Sequence, residues 1–141
     1  MTEPLENVRV GMTGRHELVV TRELTVGAHV EGMPFVFGTP MMILAMETAA
    51  VAAAAPHLPE GWATVGSEVN VRHLAPTPIG RTVTATARVV EVSGRSLLLA
   101  VEAHDGVRKV GDGTHRRGVV NLESFAKRLA ADGDSSSKRG G

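Results

Sequence analysis

The chain has no cysteine and no tyrosine, and only three phenylalanines and one tryptophan among its 141 residues. Without thiols there are no disulfides, no thiolate zinc sites and no cysteine nucleophile, so covalent chemistry must run through oxygen or nitrogen. Few rings leave little on which bases could stack. An excess of one charge is missing as well: 15 Lys and Arg balance 15 Asp and Glu, and no basic field exists to hold a phosphate backbone. Nucleic acid is therefore not the expected partner. The opening MTEPLENVRVGM carries acids and a proline where an export signal would carry basic and then apolar residues, so a cytoplasmic protein is expected. The six histidines show no HxxxH or similar ligand pair, and neither a metal nor a cofactor is expected. The glycines of GDGTH lack the Lys-Ser/Thr of a phosphate-binding loop and read as a turn or bulge.

What the chain does have is a 43% hydrophobic content, enough at this length to bury the core of one domain. The stretch FGTPMMILAMETAAVAAAAPHL, Phe37 to Leu58, reads as one apolar helix. Thr39 followed by Pro40 suits its start, Thr39 as the capping residue and Pro40 as a first position that needs no amide. Pro56, Pro59 and Gly61 end it near Ala55. Apolar residues face every direction around this helix, the pattern of an element covered on all sides. Pro40, Glu47 and His57 interrupt the run, and alanine contributes little to membrane transfer, so a buried helix is expected rather than a span.

β-Branched, partly alternating segments predict strands over His16–Thr21, Trp62–Leu74, Thr82–Val92, Ser96–Asp105 and Val107–Asn121. The short turns at Ser93–Arg95 and at Asp105–Gly106 predict that the last three pair as an antiparallel meander. The proline-rich APTPIG is expected to carry the chain across the sheet. A short amphipathic helix over Leu122–Ala131 precedes a polar tail, so a single domain over 1–132 and a flexible 133–141 are expected. Strand, long buried helix, then four strands is the order of the hot-dog arrangement, an α+β fold in which one antiparallel sheet wraps one helix. Such sheets pair edge to edge, and a homodimer is expected.

Glu47 is the only ionisable residue between Glu31 and His57. A buried carboxylate without a partner costs several kcal/mol or is neutralised, so Glu47 either bonds an amide at a sheet edge or acts as a base or nucleophile. Thr39, eight residues earlier and about 80° around the axis, could border the same pocket. His73, at a strand end beside a proline-rich loop, stands where a sheet presents side chains to a ligand.

GTPMMILAMETAA, GSEVNVRHLAPTPIG, AHDG and GDGTHRRGVVNLE together resemble the fluoroacetyl-CoA thioesterase branch of the hot-dog thioesterases, over about Val8 to Phe125. The resemblance implies hydrolysis of an acyl-CoA by a dimer, with Thr39, Glu47 and His73 as the catalytic set and Gly66 and Arg117 binding and orienting the thioester. Members that select fluoroacetyl-CoA carry an aromatic lid ahead of the helix, where this chain has Val30 and Met33. A general short-chain acyl-CoA thioesterase, with fluoroacetyl-like acyl groups among its candidate substrates, is therefore expected. The rivals are a hot-dog hydratase, whose Asp-x-x-x-x-His signature is missing after both Asp105 and Asp112, and a non-catalytic acyl-CoA-binding or regulatory domain.

Overall fold

A computed structural model describes residues 3–140, with side chains described through Gly133. Five strands form one antiparallel sheet: β1 (Thr13–Val19), β2 (Trp62–His73), β3 (Thr82–Ser93), β4 (Ser96–His104) and β5 (Lys109–Asn121), in the order β1-β3-β4-β5-β2. The meander β3-β4-β5 is as the turns predict. The APTPIG loop carries the chain from the β2 edge back over β5 and β4 to β3. Two helices complete the fold, α1 (Thr39–Ala54) and α2 (Leu122–Gly140). The second extends past Ala131, and most of the expected 133–141 tail lies outside the residues whose side chains are described.

The helix α1 begins one residue earlier than its sequence suggests. Gly38 is the extended cap residue, Thr39 and Pro40 are the first helical positions, and no side chain caps the end. Gly38 instead offers its carbonyl to the amides of Met41 and Met42, both at 3.0 Å. Proline at the second position loses nothing there, and the Thr39 hydroxyl is released for another partner. At the far end α1 tightens into a 3-10 turn over Ala55–His57 before Leu58 turns extended.

Only one side of α1 is covered by the sheet. Met42, Ala45, Met46, Ala49, Ala50, Ala53 and Ala54 are buried, whereas Leu44 and Val51 are 60% and 39% exposed. A five-stranded sheet at ~4.8 Å per strand can wrap one face of a helix, not its circumference, so the all-round apolar pattern exceeds what a single chain covers. The small residues on the inner face let the backbones close up. A Cβ built on Gly14 of β1 would collide with the backbone of Ala49, Ala52 and Ala53, so alanine there would force β1 off the helix. Met42 and Met46 fill the remaining space at 0% and 2% exposure, and truncating either to alanine should cost roughly 2–5 kcal/mol.

The edge strand β2 pairs with β5 on one side only. Its residues from Val65 to Asn70 form an exposed run that includes Val65 and Val69. A bulge at Ser67 shifts its register between Gly66 and Glu68.

Candidate active site

Two polar clusters sit at opposite ends of β2. At the C-terminal end, the Thr39 hydroxyl and His73 Nδ1 lie 2.7 Å apart. The helix start supplies one group and the strand end the other. The Phe37 ring meets the imidazole edge-on, with centroids 6.5 Å apart, and His73 Nε2 is buried with no hydrogen-bond partner among the described residues. Burial pushes the His73 pKa below its ordinary value, opposed by the backbone at Ala75. A neutral ring with one nitrogen held and the other unsatisfied is ready to exchange a proton with a group that is brought to it. A cleft of about 370 Å³ opens beside the pair, lined by Met33, Val36, Phe37, Thr39, His73 and Leu74 among others, a size typical of small-molecule sites.

At the other end Glu47 projects from the middle of α1 onto β2 and β5. Its Oε2 accepts from Arg117 Nη1 at 3.1 Å and lies 4.0 Å from His115 Nε2. The carboxylate is 36% exposed, and the described residues give its Oε1 no hydrogen bond. Gly66 makes this placement possible: a Cβ there would lie 3.0 Å from Glu47 Oε2 and 3.1 Å from His115 Cε1. The bulge one residue on re-aims the strand beside it, as bulges next to sites do.

Arg117 is almost fully committed within the protein. Its Nε donates to Thr64 Oγ1 at 2.8 Å, Nη2 to the Thr64 carbonyl at 2.7 Å, and Nη1 to both His115 Nε2 and Glu47 Oε2. Four of its five N–H donors are used. Arg117 therefore holds Glu47, with little left to bind a substrate carboxylate or phosphate. Arg116 points to the other face, donating to Ser96 Oγ at 3.3 Å and approaching Glu68 at 4.0 Å.

The five residues singled out from the sequence thus fall into two groups within one chain. Thr39 meets His73, and Glu47 meets Gly66 and Arg117. The two groups do not meet: Thr39 and Glu47 are eight residues apart on α1, about 12 Å along its axis. Gly66 and His73 are seven residues apart on β2, roughly 23 Å. The shared pocket near the helix start suggested by the 80° spacing is not formed by one chain, because the rotation ignores the axial rise. Sequence reasoning also passed over His115, 2% exposed and in contact with Arg117. Its signal was its place two residues before Arg117, on the same face of a strand.

Comparison with known proteins gives these clusters a context. The family model for the fluoroacetyl-CoA-specific thioesterase matches residues 20–123. The fluoroacetyl-CoA thioesterase of Streptantibioticus cattleyicolor is 42% identical over 126 residues, covering 85% of this chain and 91% of that protein. A variant of the fluoroacetyl-CoA-specific thioesterase, solved with fluoroacetate and CoA, superposes with a TM-score of 0.78 at 43% identity, over 83% of this chain and 98% of that one. A hot-dog-like protein from Thermanaerovibrio acidaminovorans reaches 0.82 at 29% identity, over 91% and 95%. With most of its length matched by that model, and with a carboxylate from an apolar helix laid on a glycine of the sheet it crosses, the chain belongs to the fluoroacetyl-CoA-specific thioesterase family and has its hot-dog α+β fold.

Proposed function

We propose that this protein hydrolyses short-chain acyl-CoA thioesters to the free acid and CoA, as a homodimer whose active sites each draw on both protomers. The observation that carries the reading is the division of the polar residues into two half-sites at the two ends of one unpaired edge strand. When two β2 strands pair antiparallel about a twofold axis, residues equidistant from the axis face each other. An axis between Val69 and Asn70 sets Gly66 of one strand opposite His73 of the other. Each Glu47–Gly66–Arg117 cluster then meets Thr39 and His73 of the partner subunit. The same pairing covers Val65 and Val69, which no single chain buries, and removes a bare sheet edge.

In that arrangement the free Oε1 of Glu47 either adds to the thioester carbon or takes the proton from a water that does. Arg117 keeps the carboxylate oriented. His73 of the partner subunit, neutral and with an unsatisfied Nε2, takes up a proton from the water that is consumed and passes it on to the departing thiolate, and the Thr39 hydroxyl fixes the plane of that ring. Among the described residues no aromatic lid covers the cleft. Phe35 lies under the Arg22 guanidinium at 4.2 Å, and Phe37 is a buried wall residue, while Met33 lines the opening. This supports a preference for short acyl chains generally over fluoroacetyl alone.

Two measurements test the reading. Free-thiol release is followed over short, branched, aromatic and fluorinated acyl-CoAs with wild type and Glu47→Gln. Release that the variant lacks is expected, whereas binding without release would make this a CoA-ester-binding protein. Glu47→Gln and His73→Ala are then mixed after dissociation. Heterodimers pool both lesions in one site and leave the other intact, so about a quarter of wild-type activity should return. If no activity returns although heterodimers form, the shared site is wrong.

A further inference from the structure

His115 is a buried ionisable group with no place in the chemistry above, yet it is bonded to a residue that does have one. Its Nδ1 lies 3.1 Å from the Glu68 carbonyl, which can only accept, so Nδ1 carries the hydrogen. Its Nε2 lies 2.9 Å from Arg117 Nη1, which can only donate, so Nε2 offers its lone pair. The two partners fix one neutral tautomer. Nη1 has two hydrogens, and with one directed at His115 the other is directed at Glu47 Oε2.

We infer that His115 is a positioning residue for thioester hydrolysis: as a neutral acceptor it sets the rotation of the Arg117 guanidinium, and through it the orientation of the Glu47 carboxylate. The inference rests on the proposed role of Glu47. The charged groups facing the ring are Arg117 from its own strand and Glu47 from α1; Glu68 of β2 presents its carbonyl, with its carboxylate turned toward Arg116. Protonating the ring would set a second N–H against Nη1 and place a cation 4.0 Å from Glu47, in competition with Arg117. Burial holds the ring in the required state, lowering its pKa against the pull of the Glu68 carbonyl, with the Arg117 charge acting in the same direction as burial. The Cε1 of the ring also meets the space where a side chain on residue 66 would sit. One side chain thus fixes the Arg117 fork and closes the wall behind Glu47.

The test uses acceptor reach. His115→Gln can place an oxygen near the Nε2 position, whereas His115→Asn is too short and His115→Phe offers no acceptor. Loss of one charge-assisted hydrogen bond predicts that Asn and Phe lower kcat by roughly 10- to 100-fold with KM within about twofold, and that Gln stays within about threefold of wild type. In an Arg117→Met background, His115→Asn should change kcat by less than about twofold, because its route to Glu47 is already cut. Equal losses for Gln and Asn, or full additivity with Arg117→Met, would overturn the inference, as would wild-type kcat in His115→Asn. Melting curves of each variant separate these results from misfolding, and the Asn and Gln pair suffices if the Phe variant does not fold. Glu47→Gln is run alongside: activity there would reject the proposed role of Glu47, while an inactive Glu47→Gln beside a fully active His115→Asn would reject only the role of His115.

Discussion

Two of the carboxylates paired with arginine in this molecule, Asp105 and Glu47, are held very differently. Asp105, at the β4–β5 turn, is fully buried and accepts from the amides of Val107 and Arg108, both at 2.9 Å, and from Thr77 Oγ1 and Arg81 Nη1, both at 3.2 Å. Burial raises its pKa, but the four donors outweigh it and hold the carboxyl at about 2. Glu47 has one charged partner and one oxygen without a hydrogen bond from the described residues, and it is more than a third exposed. A carboxylate whose oxygens are saturated is fixed and unreactive, because taking a proton or attacking a carbon means giving up bonds that burial makes hard to replace. Glu47 gives up nothing at its free oxygen. The first is therefore a turn lock, whereas the second is free to act as the reagent proposed for it.

Replacing each acid by its amide separates the two roles. Glu47→Gln keeps the shape and removes the base, and we expect kcat to fall by about 10³-fold or more with the melting temperature changed by only a few degrees. Asp105→Asn should do the reverse. It leaves Arg81 facing a neutral oxygen and turns an NH₂ toward donors, so stability should fall by roughly 3 kcal/mol and the melting temperature by roughly 10 °C. The kcat of the surviving folded fraction should be that of wild type. Calorimetry and thiol-release kinetics on the same two preparations check both halves, and a stable, fully active Asp105→Asn would refute the lock.

The comparison also marks what the sequence makes legible. The helix, five strands, meander and crossing loop were readable because periodicity, proline and glycine are local signals. Glu47 stood out because it is a lone charge in an apolar run. Asp105 did not stand out, since its donors Thr77 and Arg81 are 28 and 24 residues away, and sequence showed it only as one half of a turn dipeptide and as a failed hydratase signature. Arg117 lies 70 residues from Glu47, and no local pattern says that one holds the other. Thr39 was placed one position off because Thr-Pro fits both the cap and the first turn. The covered face of α1 was overestimated because composition shows that a residue is apolar, not how many chains cover it.

Acid sharpens the contrast by about 2 kcal/mol. The Asp105 carboxyl titrates near 3.8 unfolded and at about 2 folded, so its contribution is fully present above pH 3.8 and is lost as pH falls toward 2. Asp105→Asn should lack this loss, its stability running flatter than wild type across that window. His73 and His115 act earlier. Burial lowers both pKa values, so the unfolded chain binds protons more readily and stability declines as pH falls below about 6.5. Urea midpoints from pH 8 to pH 2 resolve the two steps. If the low-pH step survives in Asp105→Asn, the Asp105 carboxyl is not its source.

The smallest expected effect concerns the wall against which Glu47 rests. Gly66→Ala adds one methyl at 3.0 Å from Glu47 Oε2, 3.1 Å from His115 Cε1 and 3.5 Å from Arg117 Nη1. The nearest atom is the end of a flexible side chain on a half-open surface, so the fold can yield by moving the carboxylate a few tenths of an ångström. Stability should change by less than about 1 kcal/mol, since strand alanine offsets some of the crowding by reducing the freedom of the unfolded chain. The rate should not be spared, because an oriented base loses reactivity with small displacements, and we expect kcat to fall by about tenfold. A Gly66→Ala variant that melts like wild type and turns over like wild type would mean that Glu47 works away from this wall. The close packing of Gly66, His115 and Arg117 around it would then be structural, as it is around Asp105.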